Sequence, residues 1–417
     1  MKVMWLSVTP SMYVEGKIGG WIASLEQQIH CYYGDKVDLA ILFELDKAAG
    51  KDIKNGTTYY PVDKCHEQSY RRKARVSLDV RWEYLLPKIR GAISDFKPDI
   101  IHCFGSEWPY GMIAEIVDLP VVIHMQGFLN VYDLSSKLVV TESEERRYLF
   151  PDLKRLIKAK WKSKLDINAD AFEQKLMKSN HYFMGRTEWD RNIVKYFSPG
   201  AKYYHVPEAI RPDIYDAPKL WCYNRKSKIR LITITQAGYL KGNEMILRTA
   251  QILKHLIGID FEWRVAGKKD AFPLFEKKTG IKASNVNVTL LGMIGPEQIV
   301  DELAGADFYI HPAIIDNSPN SLCEAQLVGC PVIAANVGGI PQLVDDGKTG
   351  FLYPYNEPHT LAFKICNLID DKELLTAVSK AEIETSRNRH DPKTVADTVY
   401  RTYEAVISDY KERFSKP

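Results

Sequence analysis

One rhythm limits what this chain can fold into: short apolar runs of strand length alternate with longer stretches whose apolar residues recur at helical spacing. In the first half the runs are Val3–Val8, Val37–Phe43, Ile100–Phe104, Val121–Met125, Tyr182–Gly185 and Tyr203–Val206, with helical patterns such as Gly20–Tyr32 and Leu78–Phe96 between them. Three prolines (Pro207, Pro212, Pro218) then crowd together, as they do in interdomain linkers. A second series follows with Arg230–Thr235, Phe261–Ala266, Val286–Leu291, Phe308–His311, Val332–Ala334 and Phe351–Tyr353. Runs of this kind, separated by helices, predict parallel sheets covered on both faces. A chain of 417 residues is also too long for one ordinary core. The expected architecture is therefore α/β, with two doubly wound domains at residues 1–213 and 214–392. The tail repeats Val395, Val399, Tyr403 and Val406 at helical spacing, so residues 393–417 are expected to form a C-terminal helix packing back on the first domain. Ligands of such sheets sit beyond the carboxyl ends of the strands, here in a cleft between the domains.

Several function classes drop out at once. The net charge of +3 supplies no field for nucleic acid. No Gly-x-Gly-x-x-Gly follows a strand, which argues against a dinucleotide dehydrogenase. The seven cysteines are scattered and lack Cys-x-x-Cys spacing, so they read as reduced thiols with neither a disulfide framework nor a zinc site. The opening MKVMWLSVTP reads as a buried strand rather than a signal peptide, and no run reaches the roughly 20 apolar residues of a membrane span. These features predict a cytoplasmic protein. Two basic clusters, Leu153–Leu165 and Arg71-Arg72-Lys73-Arg75, add possible peripheral contact with an anionic membrane face. The plainer reading is a helix that buries one side while its charges meet water.

The densest signal runs from Ile310 to Tyr353. A strand ends near His311, a loop runs through Asp316, and a helix opens at Asn320 and Ser321 with Glu324 about one turn in. A helix start offers unpaired N–H groups, here near Asn320, Ser321 and Leu322, and the positive end of its dipole: an anion cradle. A carboxylate on its flank can accept two hydrogen bonds from a vicinal diol such as a ribose. Gly338-Gly339 lets a second backbone approach closely. Each residue alone has an ordinary explanation: a dipole-stabilising carboxylate for Glu324, a turn for Asp316, a cap for Asn320 or Ser321. Their combination points to a ligand.

In order and spacing this segment resembles the signature region of the retaining GT-B glycosyltransferases of family four, the group 1 glycosyl transferases. The matching residues are Asp316, then after seven residues Glu324-Ala325, then Gly329-Cys330-Pro331-Val332, Gly338-Gly339-Ile340-Pro341 and Asp346-Gly347-Lys348-Thr349-Gly350. The resemblance implies two facing Rossmann-like domains, the second binding a nucleoside diphosphate sugar. It implies that Glu324 holds the ribose, Asp316 the donor sugar, and the amides of Asn320, Ser321 and Leu322 the diphosphate. Lys241 matches the family lysine that neutralises the departing diphosphate, while Gln236 stands where an arginine is expected. Met293 and Ile294 fall at the nucleobase pocket, Gly19 and Gly20 at the glycine-rich start of the first helix, and His124 at a strand end beside the donor sugar. His102 is a weaker candidate at the preceding strand end, and Glu208 in the linker has no assigned task.

The implied reaction moves a sugar to a hydroxyl acceptor (a sugar, glycan or lipid-linked group) with retention of configuration and no essential metal or other cofactor. A role in cell-surface polysaccharide synthesis follows from the resemblance alone. Two alternatives stay open: a nucleotide-sugar epimerase of the same fold, and a non-catalytic sugar-nucleotide binding protein.

Overall fold

The apolar runs all become strands, and two strands that they did not announce join them. The structure is a computed structural model and describes residues 1–14, 20–48, 50–65, 67–74, 77–150, 152–224, 227–235 and 238–414. These residues form two units, each built on its own sheet.

In the first unit the strands are β1 (Lys2–Leu6), β2 (Asp38–Leu45), β3 (Asp52–Lys54), β4 (Thr57–Asp63), β5 (Ile100–Phe104), β6 (Val121–His124), β7 (Tyr182–Gly185) and β8 (Lys202–His205). They lie in the order β3-β4-β2-β1-β5-β6-β7-β8, parallel throughout except for the pairing of β3 with β4. Strand β4 escapes a sequence reading because Pro61 interrupts it. The proline is tolerated because it lies beyond Thr57–Tyr59, the stretch that pairs with β3. Successive side chains leave opposite faces of a strand. Met4 and Leu6 thus enter one core with Leu85, Ile89 and Ala92 of the helix Leu78–Phe96. Val3 and Trp5 enter another with Ile22, Leu25 and Ile29 of the helix Gly20–Tyr33. That second core is closed by Val395, Val399, Tyr403 and Val406 of the C-terminal helix Pro392–Phe414. Tyr33 stacks on Tyr400 at 4.2 Å and donates to Asp397 at 2.8 Å, which locks the two helices together.

In the second unit β9 (Ile229–Thr235), β10 (Phe261–Gly267), β11 (Val288–Gly292), β12 (Phe308–His311), β13 (Val332–Ala335) and β14 (Phe351–Tyr353) form an all-parallel sheet in the order β11-β10-β9-β12-β13-β14. The chain winds outward from β9 in one direction, then returns to build outward from β12 in the other. Strands β9 and β12 are therefore neighbours at the point where the winding reverses, paired through Phe308 with Leu231 and Tyr309 with Ile232. In doubly wound sheets this is where ligands bind.

The division between units differs from the sequence boundaries. The first unit comprises Met1–Asp133, Ile157–Ala209 and His390–Pro417, and the second Leu134–Leu156 and Ile210–Arg389. Residues 134–156, expected in the first domain, belong with the second. The cause is packing: Val139 and Val140 are buried in the second unit's core. Lys277, on the helix Phe272–Thr279, donates to the carbonyls of Tyr148 and Phe150 at 2.9 and 3.1 Å. Among the described residues no helix is long and apolar enough to cross a membrane.

Tyr403 carries a testable load. Its hydroxyl accepts from Trp5 Nε1 at 3.0 Å and lies 2.7 Å from His102 Nδ1, with all three groups buried. Removing the hydroxyl in Tyr403→Phe strands two buried ring nitrogens, so unfolding in denaturant should show the first unit weakened by about 1–3 kcal/mol. An unchanged midpoint would mean that neither bond contributes.

Candidate active site

The loops that leave β9 and β12 are held against each other by their backbones. After β9 the chain makes a short turn at Tyr239–Lys241 and enters the helix Asn243–Gln251. After β12 it runs to Pro319 and enters the helix Asn320–Val328. The N–H of Ile314 donates to Leu240 O at 2.8 Å and joins the two loops. Gly242 sits between them with φ of 73°, where a Cβ would stand 1.9 Å from Pro312 O. The loop after β13 is tied in as well: Gly339 N donates to Asp316 O at 3.0 Å, and a Cβ on Gly338 would stand 2.0 Å from that oxygen. Gly242 and Gly338 thus let this protein's own backbones meet.

This stitching brings Lys241 and Asp316 together. Lys241 Nζ lies 2.7 Å from Asp316 Oδ2, while Asp316 Oδ1 accepts from Asn317 N at 3.1 Å. Burial alone would raise the Asp316 pKa. The Lys241 ammonium, with His311 adding to it, more than reverses this and holds the carboxyl well below the usual carboxylate range. His311 Nε2 lies 3.4 Å from the same Oδ2. Its Nδ1 lies 3.1 Å from Tyr309 Oη, which donates to Ser321 Oγ at 2.9 Å. A polar chain therefore runs from Lys241 through Asp316, His311 and Tyr309 to the first turn of the Asn320–Val328 helix.

That helix start is uncapped, because Pro319 precedes it and has no side-chain acceptor to offer. The N–H groups of Leu322 and Cys323 turn back to Pro319 O at 3.0 and 3.3 Å. Leu322 is thereby corrected as a binding residue: its amide is committed and its side chain is buried. Among the described residues, the N–H groups of Asn320 and Ser321 meet no acceptor. They remain the open end of the helix dipole.

Glu324 is almost wholly buried on the same helix. It is not bare: Arg211 Nε and Nη2 both donate to its Oε1, at 2.8 and 2.5 Å. Burial raises the Glu324 pKa and Arg211 opposes the rise. Arg211 escaped the sequence reading because it lies in the proline-rich linker, far from the motif. Its only signal there was a cation directly before Pro212. His311 and Tyr309 were equally invisible, since strand residues of these types usually serve packing.

The other expected residues lie elsewhere. Met293 and Ile294 occupy the loop after β11, two strands from β9, Met293 exposed and Ile294 half-buried against the core. His124 ends β6 in the first unit, fully buried, edge-on to Trp21 at 4.8 Å and stacked with His102 at 5.3 Å. Burial, reinforced by His102 and Arg186, pushes its pKa well below the usual histidine value and leaves it neutral. His102 is corrected as a cleft candidate, because it is buried beneath the C-terminal helix and bonded to Tyr403. Gly20 opens its helix with φ of 63°; a Cβ there would meet nothing, so the backbone angle, not crowding, favours glycine. Gly19 and Gln236 lie outside the described residues, as do Arg75 and the side chains of Arg72, Lys154, Arg155, Lys158 and residues 159–167.

The Lys241–Asp316 pair makes a prediction about acid stability. The folded pKa of Asp316 lies below its unfolded value, so its contribution is complete above about pH 4 and fades as pH falls through the lowered folded value. The stability gap between the native protein and Asp316→Asn should therefore be constant from about pH 7 to 5 and shrink below about pH 4. A gap that persists undiminished to acid pH would mean that the pair does not form.

Known proteins resemble this chain in sequence and in fold. Residues 229–371 match the family described as Glycosyl transferases group 1. The amylovoran biosynthesis glycosyltransferase AmsK of Erwinia amylovora is 24% identical over 213 residues, covering 48% of this chain and 51% of that protein. The D-inositol 3-phosphate glycosyltransferase of Mycolicibacterium smegmatis is 32% identical over 183 residues, covering 43% and 40%. The chain thus spans about half the length of these curated relatives or less. Among solved structures, sucrose-phosphate synthase of Thermosynechococcus elongatus superposes with a TM-score of 0.70 at 14% identity, over 98% of this chain and 99% of that one. Anabaena Alr3699/HepE in complex with UDP-glucose superposes with a TM-score of 0.63 at 15% identity, over 97% and 100%. The chain accordingly has the GT-B fold of two Rossmann-like units, and its residues 229–371 match the glycosyl transferases group 1 family.

Proposed function

We propose that the protein transfers a glycosyl unit from a nucleoside diphosphate sugar to a hydroxyl acceptor with retention of configuration. The observation that carries this reading is that the Lys241 ammonium and the Asp316 carboxylate pair on the loops after β9 and β12, while the helix that the second loop enters offers an uncapped start at Asn320 and Ser321 and the buried carboxylate of Glu324. A diphosphate needs cations and N–H donors, and a sugar and a ribose need hydroxyl acceptors. That HepE is solved with UDP and with UDP-glucose supports a nucleotide-sugar donor, and AmsK, named for amylovoran biosynthesis, supports a biosynthetic glycosyl transfer.

In the proposed step the bond from the anomeric carbon to the diphosphate oxygen breaks, and the diphosphate keeps the electron pair. The acceptor hydroxyl attacks on the same face, and its proton passes to the departing phosphate oxygen. Lys241 has three N–H donors and spends one on Asp316, so two remain for the growing negative charge. The helix amides add to it, and on this reading no metal is required. Asp316 acts as a hydrogen-bonding group for the sugar; orientation itself is worth several kcal/mol.

Ligand in excess should raise the apparent stability by about 2.7 kcal/mol at a hundred times its dissociation constant, so a thermal-shift screen of UDP-, GDP- and ADP-sugars identifies the donor. Each charged hydrogen bond is worth about 1.5–3 kcal/mol, so Lys241→Met and Glu324→Ala should each lower kcat/KM by about tenfold or more. Acceptor-dependent product with retained anomeric configuration supports the transferase. Free nucleoside diphosphate released without acceptor would favour the epimerase, and binding without turnover the non-catalytic protein.

We also propose contact with an anionic membrane surface. Leu134, Leu138, Phe150 and Leu153 are exposed, and the sequence run Leu153–Leu165 is basic; each lysine or arginine near an anionic surface is worth about 1 kcal/mol. The protein should sediment with phosphatidylglycerol vesicles, and the triple change Lys154→Glu, Lys158→Glu, Lys162→Glu should release it. Failure of the native protein to sediment would end the idea.

A further inference from the structure

We infer that residues 134–156, the stretch of the first half of the chain that belongs to the second unit, are a positioning strap for Lys241, acting through the bond between Glu145 and Tyr239. The inference rests on the donor reading above and adds to it a pair of residues that aim the lysine without binding the donor.

The turn that carries Lys241 is weak on its own. It is three residues long, Tyr239–Lys241, has no side-chain cap and lies between Gly238 and Gly242. A single turn supplies little rigidity, and glycine places few limits on the backbone. Holds from elsewhere must therefore fix it. The loop after β12 supplies one, since Ile314 N donates to Leu240 O at 2.8 Å. Asn243 Nδ2 supplies another by donating to Gly238 O at 3.3 Å. The third comes from the strap: Tyr239 Oη donates to Glu145 Oε1. The ring of Tyr239 stands edge-on to the buried Phe275 at 6.0 Å, so the hydroxyl is delivered in a fixed direction.

The strap is itself well anchored. Val139 and Val140 are buried in the core of the second unit. Thr141 then caps the helix Glu142–Leu149: its Oγ1 accepts from Glu144 N at 3.3 Å, and its own N–H donates to Glu144 Oε2 at 3.0 Å. That exchange fixes the first turn, from which Glu145 leaves. Lys278 Nζ donates to Val139 O at 2.5 Å and also to Glu244 Oε2 at 2.8 Å. Glu244 lies in the first turn of the helix Asn243–Gln251. The strap therefore grips the chain on both sides of Lys241, directly at Tyr239 and through Lys278 at Glu244. A lysine side chain is a flexible stem, so its aim depends on where its backbone is held, and small misplacements of a group that meets developing charge are costly.

A rival reading gives the strap the single task of covering apolar core. It predicts a general loss of stability when the strap is disturbed, whatever residue stands at 241. The test therefore reads the contact between the lysine and the diphosphate. UDP, GDP and ADP are titrated into the native chain, each against its monophosphate, which lacks the outer phosphate that would leave the sugar. The tightest pair is then titrated into Tyr239→Phe, Glu145→Ala, Glu145→Gln and Lys241→Met, and into the first two combined with Lys241→Met. Thermal midpoints confirm that each variant is folded.

Lys241→Met should lower diphosphate affinity by about tenfold or more. Tyr239→Phe and Glu145→Ala should each lower it by about threefold or more and leave monophosphate affinity within about twofold of native. Neither should add to the loss in the Lys241→Met background, because nothing is left there to aim. Glu145→Gln still offers an oxygen to Tyr239 and should recover most of the affinity. Full diphosphate affinity in folded Tyr239→Phe overturns the inference and leaves the donor reading standing, as does a loss that the monophosphate shares or that persists in the Lys241→Met background. Should Glu145→Ala not fold, Tyr239→Phe, which keeps the ring, decides alone. Tight diphosphate binding that Lys241→Met does not weaken removes the lysine and its strap together. Binding of none of the three diphosphates overturns the donor reading and this inference with it.

Discussion

Lys241 and Asp316, 75 residues apart in the chain, stand on loops that follow β9 and β12, which are neighbours in the sheet. Only the reversal of winding between these strands puts their carboxyl ends side by side, so the pair is a product of topology before it is a product of charge. The close approach then requires glycine at 242 and at 338, because a Cβ at either position would overlap a carbonyl oxygen of the β12 loop. Order of strands, absence of two side chains and one ion pair are successive conditions on the same few ångströms of space.

The electrostatics of the second unit follow from that geometry. Two carboxylates are taken out of water within one loop and helix, and each has its own cation: Lys241 for Asp316, Arg211 for Glu324. Ion pairs of this kind contribute little to stability, since desolvation offsets most of the attraction. Apolar residues of similar size would hold the fold as well. On the function proposed above, their presence at the switch point is charge kept ready for a ligand.

The parts of this arrangement written in local patterns were legible in the sequence. The apolar runs announced the strands because a parallel sheet buried on both faces demands continuous apolar stretches. The helix Leu78–Phe96 and the tail helix showed their buried stripes. Asp316 and Glu324 were legible through their spacing and the glycines around them. What stayed hidden depends on distant contacts. Arg211 meets Glu324 across 113 residues, and nothing near either residue reports it. The amide of Leu322 looked as available as its neighbours until the turn back to Pro319 O was visible. Residues 134–156 read as an ordinary part of the first half, and only the burial of Val139 and Val140 assigns them to the second unit.

The first unit is assembled from three stretches of chain and ends with the helix Pro392–Phe414, whose Tyr403 meets Trp5 across 398 residues. During synthesis the strand β1 emerges long before the helix that covers one side of its sheet. The second unit's final stretch ends at Arg389, so its sheet is complete while the first still exposes one apolar face. The second unit is thus fully synthesised before the first has the helix that covers it. Chains halted before the last helix would carry uncovered Trp5 and its neighbours, a surface suited to chaperones or to aggregation.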